Sequence, residues 1–493
     1  MTNAYEALIE HAKQTAALEQ ASQVLHWDQM TQMPERGAAQ RAASASALEA
    51  AIHNRKADPR VSEWLDLLAD RSLAAPAARN VALIRREHAR ATRVPEALAA
   101  AIATASSEGY TAWTAARESG AFADFVPALS HMVSLTREQA DHLADDGQSR
   151  YDALLALYEP GAKADILLPL LETLREPLSL LREELVDSPP PGQLTGPFPA
   201  EDQIALSREV ALALGYDMTS GRLDLTVHPF CSGVGGDVRI TTRVQEDNPL
   251  DCLYSVIHET GHALYAQNAP LDRIMEPSAQ YASMGVHESQ SRLLENQIGR
   301  SRAFAEWIFP RFIETYGTGS VASPEALYAA LNRVETGFIR TEADEVHYNL
   351  HILLRAGLER DLIDGQLEVD ALEDAWNTQF AADFGKTVPD AVSGVLQDVH
   401  WSQGAFGYFP TYSLGNLYAA GLAEAMRGAL PDMDAQIATG DFAPIVDWLR
   451  QNVHAHANAE DPEQLMTRAM GQPLSTAPFL SYVTTKFRDL HNL

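Results

Sequence analysis

A mainly α-helical fold, in which a helical body carries one small β-sheet, is what this sequence predicts, on three observations. From the start to about Val186 the chain is rich in Ala, Leu, Glu and Arg, with apolar residues recurring every three or four positions. Residues alternate in character, as in strands, in two short runs, 223–227 and 238–242. Beyond Asn248-Pro249 the helical period returns and continues, with interruptions, to the end.

Taken in order, the first region is 1–187, expected to form helices in antiparallel pairs; Leu167, Leu168, Leu171 and Leu174, then Leu178 and Leu181, mark one apolar stripe. Ser188 to Pro199 (SPPPGQLTGPFP) cannot continue a helix, because its prolines lack amide donors and restrict the residues before them. A linker or long loop is expected at 188–199. The remaining region, 200–493, is expected to be the catalytic helical region, with the sheet at about 222–244. There Leu223, Leu225 and Val227 alternate with Asp224, Thr226 and His228, while Val238, Ile240 and Thr242 alternate with Arg239, Thr241 and Arg243. These read as two strands joined by a glycine-bearing loop, Ser232 to Gly236. Asn248 is placed to cap the next helix, with Pro249 in its first turn.

Composition narrows the function classes. A formal net charge of −30 over 493 residues opposes binding to nucleic-acid phosphates or anionic lipid. No stretch approaches the roughly 20 apolar residues of a membrane span, and Met1 to Lys13 lacks the basic and apolar regions of an export signal. The chain is expected to be a soluble cytoplasmic protein whose two cysteines, Cys231 and Cys252, are reduced.

The chemistry concentrates in Val256 to Tyr265 (VIHETGHALY), where His258 and His262 stand four apart and Glu259 follows the first. At about 3.6 residues per turn both imidazoles project from one helical face and can bind one ion. Glu259, roughly 100° round the helix, can reach a water at that ion as a general base without becoming a ligand. Leu253, Val256, Ile257 and Leu264 make most of this helix apolar, so the three polar side chains are expected inside, where they need partners or a metal. A third ligand should follow, and Glu288 in Val286 to Gln290 (VHESQ) is a candidate; spacing alone leaves His287 as an alternative ligand or a supporting group. Two imidazoles and a carboxylate are a usual set for zinc, with cobalt or manganese as possible occupants.

Two further clusters stand out. Arg340, Asp344, His347, His351 and Arg355 follow one another in steps of four, three, four and four, which predicts one helical face lining an active-site wall. His400, Tyr408 and Tyr412 fall close together and could donate hydrogen bonds to an oxyanion.

Taken together these segments resemble the thermostable carboxypeptidase, or carboxypeptidase Taq, family of zinc metallopeptidases. The blocks that carry the resemblance are His228-Pro229-Phe230, Asp237 to Thr241, His258 to His262, His287 to Gln290, Ile339-Arg340 through Ala343-Asp344, and Gly394 through Gln397-Asp398 to His400-Trp401. Trp27-Asp28 to Met33-Pro34 is similar to the family as well. The resemblance implies a helical body split by a deep substrate groove, with 1–187 forming part of one wall or lid. It implies a homodimer that releases single C-terminal residues from peptides with a free C-terminus, with broad preference and poor action on C-terminal proline. Glu288 becomes the third ligand, His287 its supporting neighbour, and Arg340 the anchor for the terminal carboxylate. Asp237, Arg239, His287 and His351 complete the set expected to bind substrate, the strand with Asp237 and Arg239 through its edge or by shaping the groove.

Overall fold

The computed structural model describes residues 4–186 and 192–493. Helix dominates them, with a single three-stranded sheet. Of the expected linker, Ser188 to Pro191 lie outside the described residues; Gly192 to Pro199 carry neither helix nor strand, and a helix follows at Ala200–Ala213.

Two compact units are each assembled from three stretches of chain: Met1–Thr92, Gly192–Leu331 and Tyr418–Leu474 in the first, Arg93–Pro191, Asn332–Leu417 and Ser475–Leu493 in the second. Neither coincides with the sequential division at 187 and 200, since both units take residues from either side of it.

In the first unit the sheet runs in the order β1 (Gly221–Leu225), β3 (Asp237–Thr242), β2 (Cys231–Val234). Both runs of alternating residues are strands, and they pair in parallel, Leu223 beside Ile240. The expected loop between them is mostly a third strand: Ser232 to Val234 belong to β2, antiparallel to β3, and only Gly235 and Gly236 make the turn. Small residues without alternation hid it, because pairing with β3 rather than local pattern holds it. Val238 and Ile240 pack with Val256 and Ala263 of the Pro249–Gln267 helix and with Ala211 and Tyr216, all buried. Each such aliphatic side chain contributes on the order of 1.5–3 kcal/mol when fully buried, so the sheet is a firm floor for that helix. Asn248 caps it, accepting from the Leu250 amide at 3.3 Å, with Pro249 in the first turn.

In the second unit the Tyr348–Asp364 helix is almost wholly enclosed, with Leu350, Ile352 and Leu362 at 0 % exposure. The five-residue polar face expected from Arg340 to Arg355 does not form. Arg340 sits in a 3₁₀ turn, Arg340–Glu342, and Asp344 accepts hydrogen bonds from the amides of Val346 and His347 ahead of the helix. An aspartate that captures backbone donors in this way competes with helix, so the spacing crosses a helix start. Only His351 and Arg355 lie on the helix itself.

Candidate metal centre and a second polar cluster

Glu288 reaches the two histidines because two helices touch closely. The Met284–Arg292 helix, capped by Ser283 on the Val286 amide, crosses the motif helix at Gly261. A Cβ at Gly261 would stand 2.4 Å from the Gln290 carbonyl oxygen and 2.5 Å from Ser291 Cα. Glycine is therefore required for this approach. The result is that one ligand atom from each of His258, His262 and Glu288 lies within 4.8 Å of the other two. Glu288 Oε2 is 3.4 Å from His262 Nε2 and 3.8 Å from His258 Nε2.

The remaining atoms of the three side chains are held from behind. His258 Nδ1 meets Glu295 Oε2 at 2.8 Å; an ionised carboxylate only accepts, so Nδ1 carries a proton and Nε2 is the nitrogen turned toward Glu288. His262 Nδ1 meets His287 Nδ1 at 2.5 Å. Glu288 Oε1 accepts from Arg292 Nε at 2.7 Å, which leaves Oε2 on the imidazole side. Arg292 also reaches Glu295 at 3.3 Å, closing a ring through two of the three donors. Glu295 was not singled out in the sequence, although it lies seven residues after Glu288. It falls in a π-helical stretch, Leu293–Ile298, whose wider turn no local pattern announces.

Electrostatically the centre favours positive charge. Burial opposes a charge on His258, but Glu288 and Glu295 outweigh it and raise its pKa to about 9. For Glu288 burial works against ionisation, yet Arg292 and His258 hold it well below the usual carboxylate range. Glu259, 6 % exposed, is pushed up by burial, against the pull of His258 and His262. His287 is driven well down by burial and by His262, so it is an uncharged partner. An ionised carboxylate, two imidazole nitrogens turned toward it and acidic neighbours that favour positive charge fit a divalent cation, which would take the place of the proton that His258 otherwise carries.

The second unit gathers another cluster around Asp398. Its Oδ1 accepts from Arg340 Nε at 2.9 Å and Nη2 at 2.8 Å, and its Oδ2 accepts from Arg355 Nε at 2.6 Å. One carboxylate thus answers two guanidiniums, leaving one excess positive charge. Arg340 also donates to the Tyr348 hydroxyl at 3.1 Å. His400 Nε2 lies 3.3 Å from the Tyr412 hydroxyl, and the His400 ring centre is 5.5 Å from that of Tyr408, so these three residues do converge. Burial pushes His400 down to about 4, with Asp398 pulling the other way, and it is neutral near pH 7.

Along residues 7–487 the sequence matches the profile described as carboxypeptidase Taq (M32) metallopeptidase. The chain belongs to the carboxypeptidase Taq (M32) family. Its relatives include thermostable carboxypeptidase 1 of Thermus thermophilus, 41% identical with 99% of each chain covered, and carboxypeptidase 1 of Bacillus subtilis, 34% identical with 98% of this chain and 97% of that one covered. Among solved structures, the M32 carboxypeptidase of Deinococcus radiodurans matches with a TM-score of 0.96 at 36% identity, over 99% of this chain and all of that one. Membership in the carboxypeptidase Taq family makes the chain a peptide hydrolase of the metallocarboxypeptidase kind, which implies a divalent metal and peptide substrates.

The other residues expected to bind substrate are placed differently. Arg239 is paired with Asp237 on the same strand through two 2.8 Å bonds, and its guanidinium lies 4.3 Å over the Trp27 ring. His351 is fully buried, its ring 4.4 Å from that of Phe384, and presents no surface to a ligand. A core position on the buried side of this largely enclosed helix explains this, where the sequence pattern suggested a wall. Among the described residues no helix is long and apolar enough to cross a membrane.

Proposed function

We propose that the chain is a zinc-dependent metallocarboxypeptidase that releases single residues from the free C-terminus of peptides, with broad preference and poor action on C-terminal proline. The observation that carries this reading is the convergence of His258, His262 and Glu288 within 4.8 Å, with Glu259 buried in the same helix turn. In this reading those three residues hold the ion, for which cobalt or manganese are alternatives. A divalent ion bound there supplies Lewis acidity to the attacking water and the scissile carbonyl. Glu259 takes the proton from that water and returns it to the leaving amine, a role suited to a carboxylate whose pKa burial has raised.

His400, Tyr408 or Tyr412 donates a hydrogen bond to the carbonyl oxygen as negative charge develops on it. Arg340 takes the terminal carboxylate, in keeping with the excess positive charge around Asp398 and the planar fork that a guanidinium offers a carboxylate. β3, which carries Asp237 and Arg239, is paired on both sides and has no free edge for a peptide, so of the two expected roles shaping the groove is the one kept, and His287 fixes the ring of His262. The working form is a cytoplasmic homodimer in which part of 1–187 walls the substrate groove.

Mass spectrometry of a defined peptide tests the proposal, using metal-loaded wild type, Glu259→Gln, and a C-terminally amidated control peptide. A ladder of single losses from the free C-terminus is expected, absent with the variant and with the amide. Internal cuts in both peptides would make the chain an endopeptidase instead, and cleavage that survives Glu259→Gln would remove the general base.

A further inference from the structure

The Glu359 carboxyl is 0 % exposed and is used by nothing described above. Its Oε1 accepts from the Tyr151 hydroxyl at 2.5 Å and from the Gly407 amide at 3.3 Å; its Oε2 accepts from Trp401 Nε1 at 3.2 Å. All three donors are uncharged. Burying a carboxyl among a phenol, an indole and an amide is costly compared with an apolar side chain of the same size, so packing alone does not explain the choice of residue.

The identity of the donors does. Trp401 directly follows His400, and Gly407 directly precedes Tyr408. The two contacts therefore grip the 400–408 turn at the inner neighbour of each of those side chains. One turn earlier on the same helix, Arg355 holds Asp398 at 2.6 Å. Successive turns of the Tyr348–Asp364 helix thus fasten the segment 398–408 at three points. Gly407 has a φ of +82°, and a Cβ there would stand 2.7 Å from the Leu155 amide nitrogen, so the turn is pressed against the Arg150–Tyr158 helix. That helix supplies Tyr151, and its Tyr158 ring lies 4.9 Å edge-on from Tyr408.

We propose that Glu359 is a positioning residue for the reaction: its carboxyl oxygens, accepting from Trp401 and Gly407, set where His400 and Tyr408 present their donor groups. This rests on the reading that His400 and Tyr408 act on the substrate. Burial raises the Glu359 pKa to about 8, yet in either protonation state each oxygen keeps a lone pair for an N–H, from Trp401 Nε1 and from the Gly407 amide, and the Tyr151 hydroxyl can donate or accept; glutamine instead turns an NH₂ against one of those two N–H groups.

The experiment combines steady-state kinetics with peptide-resolved hydrogen exchange on the metal-loaded, full-length enzyme. In Glu359→Gln, kcat is expected to fall roughly 10- to 100-fold with KM within about threefold, as for a misplacement of around 1 Å. Exchange across 400–408 should rise while that of 349–358 stays at the wild-type level. Combined with His400→Ala and Tyr408→Phe, the substitution should cost little more, since the groups it positions are already gone. Should Glu359→Gln fail to fold, Trp401→Phe removes the indole donor but keeps a ring and is compared in the same way. Unchanged exchange at 400–408, or an undiminished kcat loss in the combined background, overturns the proposal. If His400→Ala and Tyr408→Phe, with Glu359 intact, leave kcat at the wild-type value, the reading of those two residues has failed, and the proposal falls with it.

Discussion

Gly261→Ala separates the contact between two helices from the helix itself. Alanine is the better helix former by about 0.8–1.0 kcal/mol, so the isolated motif helix would gain stability. The new Cβ, however, would meet the Gln290 carbonyl oxygen at 2.4 Å and Ser291 Cα at 2.5 Å, and both are backbone atoms that no side-chain rotation can move. Restoring ordinary contact requires the Met284–Arg292 helix to withdraw by about 1 Å, at an overpacking cost of roughly 1–3 kcal/mol. The net expectation is a protein destabilised by on the order of 1 kcal/mol, opposite in sign to propensity. Glu288 rides on the displaced helix, and its Oε2 now lies 3.4 and 3.8 Å from the two imidazole nitrogens. A 1 Å retreat stretches the donor triangle, and metal affinity should fall roughly 10- to 100-fold, the range seen when support around a site is lost. Denaturant titration of the metal-free protein reads the stability term, and competition with a chelator of known affinity reads the binding term. Wild-type metal affinity in Gly261→Ala would refute the link between this contact and the ligand geometry.

Three further outcomes follow from the same physical reasoning. Glu295→Gln keeps an acceptor for His258 but removes the charge beside it, and metal affinity by chelator competition should drop about tenfold or more; an unchanged value would mean His258 needs no anionic partner. Arg340→Ala should lower kcat/KM for free-C-terminus peptides by about 100-fold while metal content stays unchanged, because a charge-assisted bidentate contact is lost; a loss below threefold would clear Arg340 of the anchoring role. His454 is fully buried, and burial, helped by Arg450, pushes its pKa down to about 3. Between the unfolded value of about 6.5 and 3 the unfolded chain binds the extra proton, so this histidine's contribution to stability is present above 6.5 and is lost as pH falls through that window. The stability difference between wild type and His454→Gln should therefore shrink from pH 7.5 to pH 5 in denaturant titrations, and a constant difference would contradict the assignment.

Much of the candidate metal centre was legible in the sequence. The four-residue spacing of His258 and His262, with Glu259 between them, depends only on the pitch of a helix, and that helix begins at the Asn248-Pro249 signal. Glu288 needed more than spacing: its role came from resemblance, and its approach to the histidines depends on Gly261, whose missing side chain matters only once a second helix crosses there. Glu295 stands seven residues after Glu288, a spacing that shares a helical face, but its partner His258 lies on another helix, so its role became visible only once the two helices packed together.

The same division runs through the fold. Local periodicity by itself determined that the protein is helical, where its two alternating strands lie, and which side chains could bind a metal, since these follow from backbone geometry within a few residues. Tertiary structure alone decided that Ser232 to Val234 belong to a third strand at the edge of the sheet, that Arg340 and Arg355 meet on Asp398 although no common helix face joins them, and that each compact unit is built from three separate stretches. Those outcomes depend on pairings between residues tens to hundreds of positions apart, and such pairings are selected by the surfaces that fit when the chain packs, which no local pattern records.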